Sequence, residues 1–251
     1  MLMAKATGLI SDSIPYVIQV ESGTQISART VLIATGAQYR RLPLENLSRF
    51  EGAGVYYGAT FLEGQLCKGD EVIVIGGGNS AGQAAVFLAQ TTKRVHMLVR
   101  STGLSESMSR YLIRRIEKSH TIIIHSQTEI VALEGGDHLD AVHWRNGQTG
   151  QIEQHKIRHV FVMTGANPNT RWLNGCVALD AKGFIKTGPV LSPENLRVSR
   201  WPLTRQPFLL ETSLPNVFAV GDVRGGNIKR VASAVGEGSI AISFVHKVLQ
   251  E

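Results

Sequence analysis

Apolar residues fall along this chain mostly in short β-branched runs, and most of those runs end at a glycine or another turn residue. The pattern predicts strands at Tyr16–Val20, Ala28–Ala34, Val72–Ile75, Arg94–Val99, Thr121–His125, His159–Met163 and Asn216–Val220. Helical spacing predicts a helix from Asn79 to Gln90. A second runs from Ser105 to Lys118, with Met108, Leu112, Ile113 and Ile116 on one face, and a third runs from about Arg230 to Leu249. Residues 129 to 155 resemble a small antiparallel meander turning at Gly135-Gly136 and Asn146-Gly147. Residues 1 to 13 carry no clear pattern. Residues 37 to 68, with Pro43 and four glycines, read as a connection between domains, and residues 166 to 215 as a proline-rich loop region.

The most informative run is Glu71-Val-Ile-Val-Ile-Gly-Gly-Gly-Asn-Ser-Ala81. A strand feeds three glycines and then a helix, which is the local geometry of a diphosphate site. Gly76 lets the chain turn, and Gly78 clears the approach to backbone N–H groups. Asn79 and Ser80 open the helix, and Ala81 is small enough for the helix to pack close to the strand. The helix dipole favours the negative charge. The fold class that follows is α/β, with a Rossmann-like nucleotide-binding domain.

The next strand ends at Arg100, where an NAD-binding fold usually carries an acidic residue for the ribose 2′-hydroxyl. A guanidinium suits a 2′-phosphate, so NADP is favoured over NAD. Three further strands close on small-residue turns at Gly36, Gly165 and Gly221-Asp222, positions that line ligand crevices in open α/β sheets. Asp222 is placed either to accept bonds from sugar hydroxyls or to cap a turn. The small residues after Lys229 suit either a flat ring at a helix N-terminus or close helix–sheet packing.

Composition narrows the picture a little. The 251 residues allow one large α/β domain or two small ones, and the 26 glycines fit several tight turns. The net charge of +6 is scattered, with no basic run interleaved with aromatics, so no nucleic-acid partner is indicated. No apolar run reaches membrane-spanning length and no secretory leader is visible, so no membrane partner and a cytoplasmic location are expected. Cys67 and Cys176 are far apart and form neither a redox pair nor a metal-ligand cluster; reduced thiols are expected.

The run Phe218-Ala-Val-Gly-Asp-Val-Arg224, with Lys229-Arg-Val-Ala-Ser-Ala-Val-Gly-Glu-Gly-Ser239, resembles the flavin motif of the thioredoxin reductase-like pyridine nucleotide-disulfide oxidoreductases. Ala34-Thr-Gly36, the loop at residues 76–81, and Thr164-Gly-Ala-Asn-Pro-Asn-Thr170 follow in that family's order. The resemblance implies an NADPH-binding domain at residues 51–169 inserted into an FAD-binding domain formed by residues 1–50 and 170–251. It implies that Asp222 meets the ribityl chain of FAD, that Arg230, Val231 and Ala232 lie near its ring system, and that Arg100 meets the 2′-phosphate of NADPH.

Three departures shape the functional expectation. Where the family carries its redox Cys-x-x-Cys, this chain has Tyr56-Tyr-Gly-Ala-Thr60. Without two thiols, dithiol–disulfide exchange by the usual route is closed. Ser101 and Ser105 stand where further arginines are expected. The family's first glycine loop, for the FAD diphosphate, has no counterpart. The chain is therefore expected to be the C-terminal portion of a longer reductase: a truncated product, an incompletely read gene, or half of a split protein. The function implied is an FAD- and NADPH-dependent oxidoreductase with no catalytic side chain of its own, handing electrons to an external acceptor such as ferredoxin, a quinone or a partner disulfide. The alternative is a fragment that holds NADP(H) without flavin. A homodimer is left open.

Overall fold

The computed structural model describes residues 2–173 and 175–250. The chain forms two compact units: Tyr39–Gly165 is the central unit, and Met1–Gln38 with Ala166–Glu251 makes the flanking unit. The central unit thus begins earlier, and ends slightly earlier, than the 51–169 expected from sequence.

The first passage of the flanking unit holds β1 (Ala6–Ile10), β2 (Tyr16–Val20), β3 (Gln25–Ala28), β4 (Val31–Ile33) and the start of β5 (Ala37–Tyr39). β1, β2 and β3 form an antiparallel sheet. The strand predicted at 28–34 is therefore two short strands. Arg29 and Thr30 divide them, and β4 leaves the antiparallel sheet to join another.

The central unit continues with α1 (Leu47–Phe50), β6 (Val55–Tyr56), α2 (Phe61–Leu66), β7 (Glu71–Ile75), α3 (Asn79–Leu88), β8 (Arg94–Val99), α4 (Arg110–Glu117) and β9 (Ile122–Ser126). The meander follows as β10 (Thr128–Gly135), β11 (Leu139–Asn146) and β12 (Ile152–His155), and β13 (Val160–Val162) returns to the main sheet. That sheet is parallel throughout, in the order β6-β13-β7-β8-β9. The alternation along its strands explains the continuous apolar runs. Val72, Val74 and Phe161 face the helices with Ala81, Ala85, Leu88, Leu112 and Ile116. Ile73, Ile75, Val160 and Val162 face the meander with Leu133, Leu139, Val142 and Trp144. A parallel sheet covered on both faces needs apolar residues at every position.

The flanking unit closes with β14 (Ala166–Pro168), α5 (Pro193–Val198), β15 (Val217–Ala219) and α6 (Val231–Val248). β15 pairs in parallel with β4 as a two-stranded sheet. Val31, Ile33, Val217 and Ala219 pack on one side with Leu9 and Tyr16. Phe218 and Val220 pack on the other with Phe208, Phe244 and Val248.

Candidate nucleotide-binding sites

The glycine loop stands at the carboxyl end of β7. Gly76 has φ +136° and donates its N–H to Leu98 O at 3.0 Å. A Cβ there would lie 2.6 Å from the Met163 carbonyl oxygen, so only glycine fits. Gly78 is the N-cap of α3 in extended backbone, and a Cβ on it would meet nothing closer than 3.9 Å. The space beside Gly78 is therefore open, and the first N–H groups of α3 lack helical partners. Ala81 is fully buried against the sheet, as its small size requires, whereas Asn79 and Ser80 are exposed.

A brace that the sequence reading missed holds this loop. Ser107 donates its hydroxyl to Gly77 O at 2.9 Å, and Asn79 Oδ1 accepts the Ser109 N–H at 2.8 Å. Residues 105–109, predicted as the first turn and more of a helix, are instead spent on these contacts, and α4 starts at Arg110. Gly82 belongs to the same design: a Cβ on it would sit 2.8 Å from Met108 Sδ. The signal in sequence was the serine at every second position around Met108.

Arg100 follows β8 and is exposed. It lines a cavity of about 540 Å³ with Gln127, Thr128, Glu129, Arg145, Asn146 and Gly147. Among the described residues Arg100 makes no ion pair. Glu129 and Arg145 sit opposite each other on β10 and β11 and pair across the strands.

The second candidate site lies in the flanking unit. Gly36 has φ +67°; its carbonyl accepts the Asn169 N–H at 3.1 Å, and Thr35 O accepts Asn169 Nδ2 at 2.8 Å. Gly221 has φ +70°, and its Cβ position lies 3.3 Å from Ala234 on α6. The Gly221-Asp222 turn therefore packs on the first turns of α6, where Arg230 is the N-cap and Val231 and Ala232 are the first helical residues, all three exposed. The Gly221 N–H is bound to Glu237 Oε2 at 2.7 Å, and Glu237 also pairs with Arg224. Burial alone would raise the Glu237 carboxyl; Arg224 and that N–H hold it below its usual range. The Asp222 carboxylate makes no hydrogen bond among the described residues and is free to accept from a hydroxyl. Gly165, in the central unit, has φ +95°, and its carbonyl accepts the Arg40 N–H at 2.9 Å.

The thiols are plain. Cys67 is buried and donates to Glu63 O at 3.1 Å; burial pushes it up to about 11, far from a thiolate at neutral pH. Cys176 donates to Leu9 O at 3.1 Å. Both are free. In the segment before the glycine loop, β6 ends at Tyr56 and Thr60 caps α2 together with Glu63. No helix among the described residues is long and apolar enough to cross a membrane.

A parallel sheet of this order, with a glycine turn leading from its middle strand β7 into α3, defines an α/β protein of the nucleotide-binding class. Residues 1–238 match the family described as pyridine nucleotide-disulphide oxidoreductase, and the chain belongs to that family. It is 30% identical to a component of the alkyl hydroperoxide reductase from Pseudomonas putida, over 89% of this chain and 39% of that one. It is 27% identical to a thioredoxin reductase of Mycoplasma pneumoniae, over 93% of this chain and 68% of that one. The solved thioredoxin reductase of Streptococcus pyogenes superposes with a TM-score of 0.80 at 27% identity, covering 98% of this chain and 74% of that one. A Giardia duodenalis thioredoxin reductase shares the fold with a TM-score of 0.83 at 24% identity. The chain spans only 39–40% of the length of the hydroperoxide reductase components it matches first.

Proposed function

We propose that the central unit binds NADPH on the loop at residues 76–81, that the flanking unit holds the ribityl and ring portion of FAD at Asp222 and the start of α6, and that the protein moves reducing equivalents from the first to an external acceptor. The observation that carries this reading is the open, braced glycine loop. Gly76 is fixed by its turn, Gly78 leaves the N–H groups of α3 accessible, and Ser107 and Ser109 hold the loop before any ligand arrives. Arg100, without an ion pair of its own, supplies a cation for the 2′-phosphate. Bound together, the two cofactors would supply the redox chemistry, the nicotinamide as hydride donor and the flavin as its acceptor, while the chain binds and orients them.

What the side chains contribute is binding and orientation. Asp222 accepts from hydroxyls, and Glu237 with Arg224 holds the Gly221 turn against α6. With Cys67 buried and protonated and no cysteine pair among the described residues, electrons leave without an internal dithiol. The acceptor is then outside the chain, a partner protein's disulfide or a small oxidant.

A second reading rests on a specific observation. Among the described residues the only strand–glycine–helix turn of this kind is the one at 76–81, and the start of α6 is exposed. On that reading the chain holds NADP(H) and no flavin. Purification followed by a visible spectrum separates the two. The flavin reading predicts absorption in the blue that bleaches when NADPH is added without oxygen; a colourless protein that FAD does not colour overturns it.

A further inference from the structure

Five strands of the central unit bring a set of ionisable and aromatic side chains together on the meander side of the sheet, at a distance from the glycine loop's own contacts. β7 supplies Glu71, β8 His96, β9 His125, β11 Trp144 and β12 His155. His96 is buried; its Nε2 lies 3.3 Å from Glu71 Oε2 and its Nδ1 3.0 Å from His125 Nε2. The His125 ring lies 4.9 Å from Trp144, and Trp144 stacks on His155 at 3.5 Å. The charges around the set are Lys93, 3.1 Å from Glu71, Arg94, 3.9 Å from it, and Glu153, 3.2 Å from His155.

This geometry counts protons. With both imidazoles neutral, His96 donates to Glu71 and its Nδ1 accepts from His125 Nε2. One added proton keeps every bond, because His125 can carry it on Nδ1. A second proton puts N–H against N–H at 3.0 Å and leaves two cations beside one carboxylate already shared with Lys93. We propose that the cluster is an acid-sensitive clasp: with at most one proton it holds the β10–β12 meander on the parallel sheet, and the second proton breaks the His96–His125 bond and loosens the meander. The consequence reaches the Arg100 cavity. Gly147 donates to Gln127 O at 2.7 Å and Gln127 to Ser101 O at 3.1 Å, so the meander's turn and the segment after β8 are tied through one residue. Both histidines are pushed down, His125 to about 4, by burial first; Glu71 opposes the shift at His96 without cancelling it, and neighbouring imidazole charges add to it at both. The unfolded chain therefore binds more protons than the folded one below the ordinary histidine value of 6.5, and the clasp's stabilising contribution falls as pH drops from there towards about 4.

Hydrogen exchange of the full chain at about pH 7.5 and about pH 5, corrected for intrinsic rates, tests this. Peptides covering residues 139–155, with the Gln127 and Gly147 amides, are expected to exchange about tenfold faster at the lower pH, while α3 and β13 change less than about twofold. His125→Gln keeps a donor for His96 and takes up no proton, and is expected to reduce the meander's rise to less than about twofold. Unchanged meander protection in the native chain, or a full rise in His125→Gln, overturns the clasp. Should that variant not fold, imidazole NMR of the native chain decides. Two steps for His96 and His125, separated by more than about one pH unit, support the clasp, and independent titration near 6.5 contradicts it. No nucleotide enters these experiments, so their failure leaves the binding proposal standing.

Discussion

The two units are made from similar apolar material and finish it differently. The central unit covers both faces of a five-stranded parallel sheet, helices on one side and a meander on the other. The flanking unit has a parallel pair of strands and an 18-residue helix on which only Ala241 and Val248 are buried. Val231 and Val235 on that helix are 82% and 67% exposed, and Leu32 on β4 is exposed as well. A parallel sheet is normally buried on both faces. The glycine loop at residues 76–81 thus rests on a finished core, whereas the Gly221-Asp222 turn rests on a thinner one.

Phe161 on β13 and Phe218 on β15 are both fully buried. Phe161→Ala is expected to lower the central unit's stability by about 3–5 kcal/mol, and Phe218→Ala the flanking unit's by the low end of that range or less, because a smaller cluster relaxes into the space. Chemical denaturation followed through each unit's own peptides measures both, and equal losses would contradict the contrast. A smaller effect concerns the polar hold on the Gly221 turn. Glu237→Gln removes the carboxylate facing Arg224 and is expected to cost about 1–3 kcal/mol at neutral pH. The Glu237 carboxyl is held below its ordinary 4.5, so its contribution is present above that value and is lost as pH falls below it. The variant should therefore lie closest to the native protein at the acid end of a melting series; a constant gap across pH would contradict the assignment.

Much of the central unit was legible in sequence because its chemistry is local. The runs at β7 and β8 are apolar at consecutive positions, and the glycines between β7 and α3 are a contiguous signature. β6 was not legible, since Val55–Tyr56 is two residues long and takes its identity from pairing with β13. β1 was missed because Ala-Thr-Gly-Leu-Ile buries only Leu9 and so shows no alternation. The candidate site's geometry was legible where one segment builds it and silent where distant segments meet. Gly76, Gly78 and Ala81 were read in place, whereas the Ser107 and Ser109 brace, the Glu129–Arg145 pair at the Arg100 cavity and the Glu237 hold on Gly221 depend on tertiary approach.

Nucleotide titration of paired glycine variants decides whether residues 76–81 hold phosphate. Gly78 has open space around its Cβ position, so Gly78→Leu should leave the melting temperature of the central unit almost unchanged, whereas Gly76→Ala, pressed against Met163 O, should lower stability by about 2–3 kcal/mol. Calorimetry is then expected to show NADPH binding to the native chain and a loss of at least about a hundredfold in Gly78→Leu, some 2.7 kcal/mol. A folded Gly78→Leu protein that binds NADPH as tightly as the native chain would show that residues 76–81 are a structural turn and hold no phosphate.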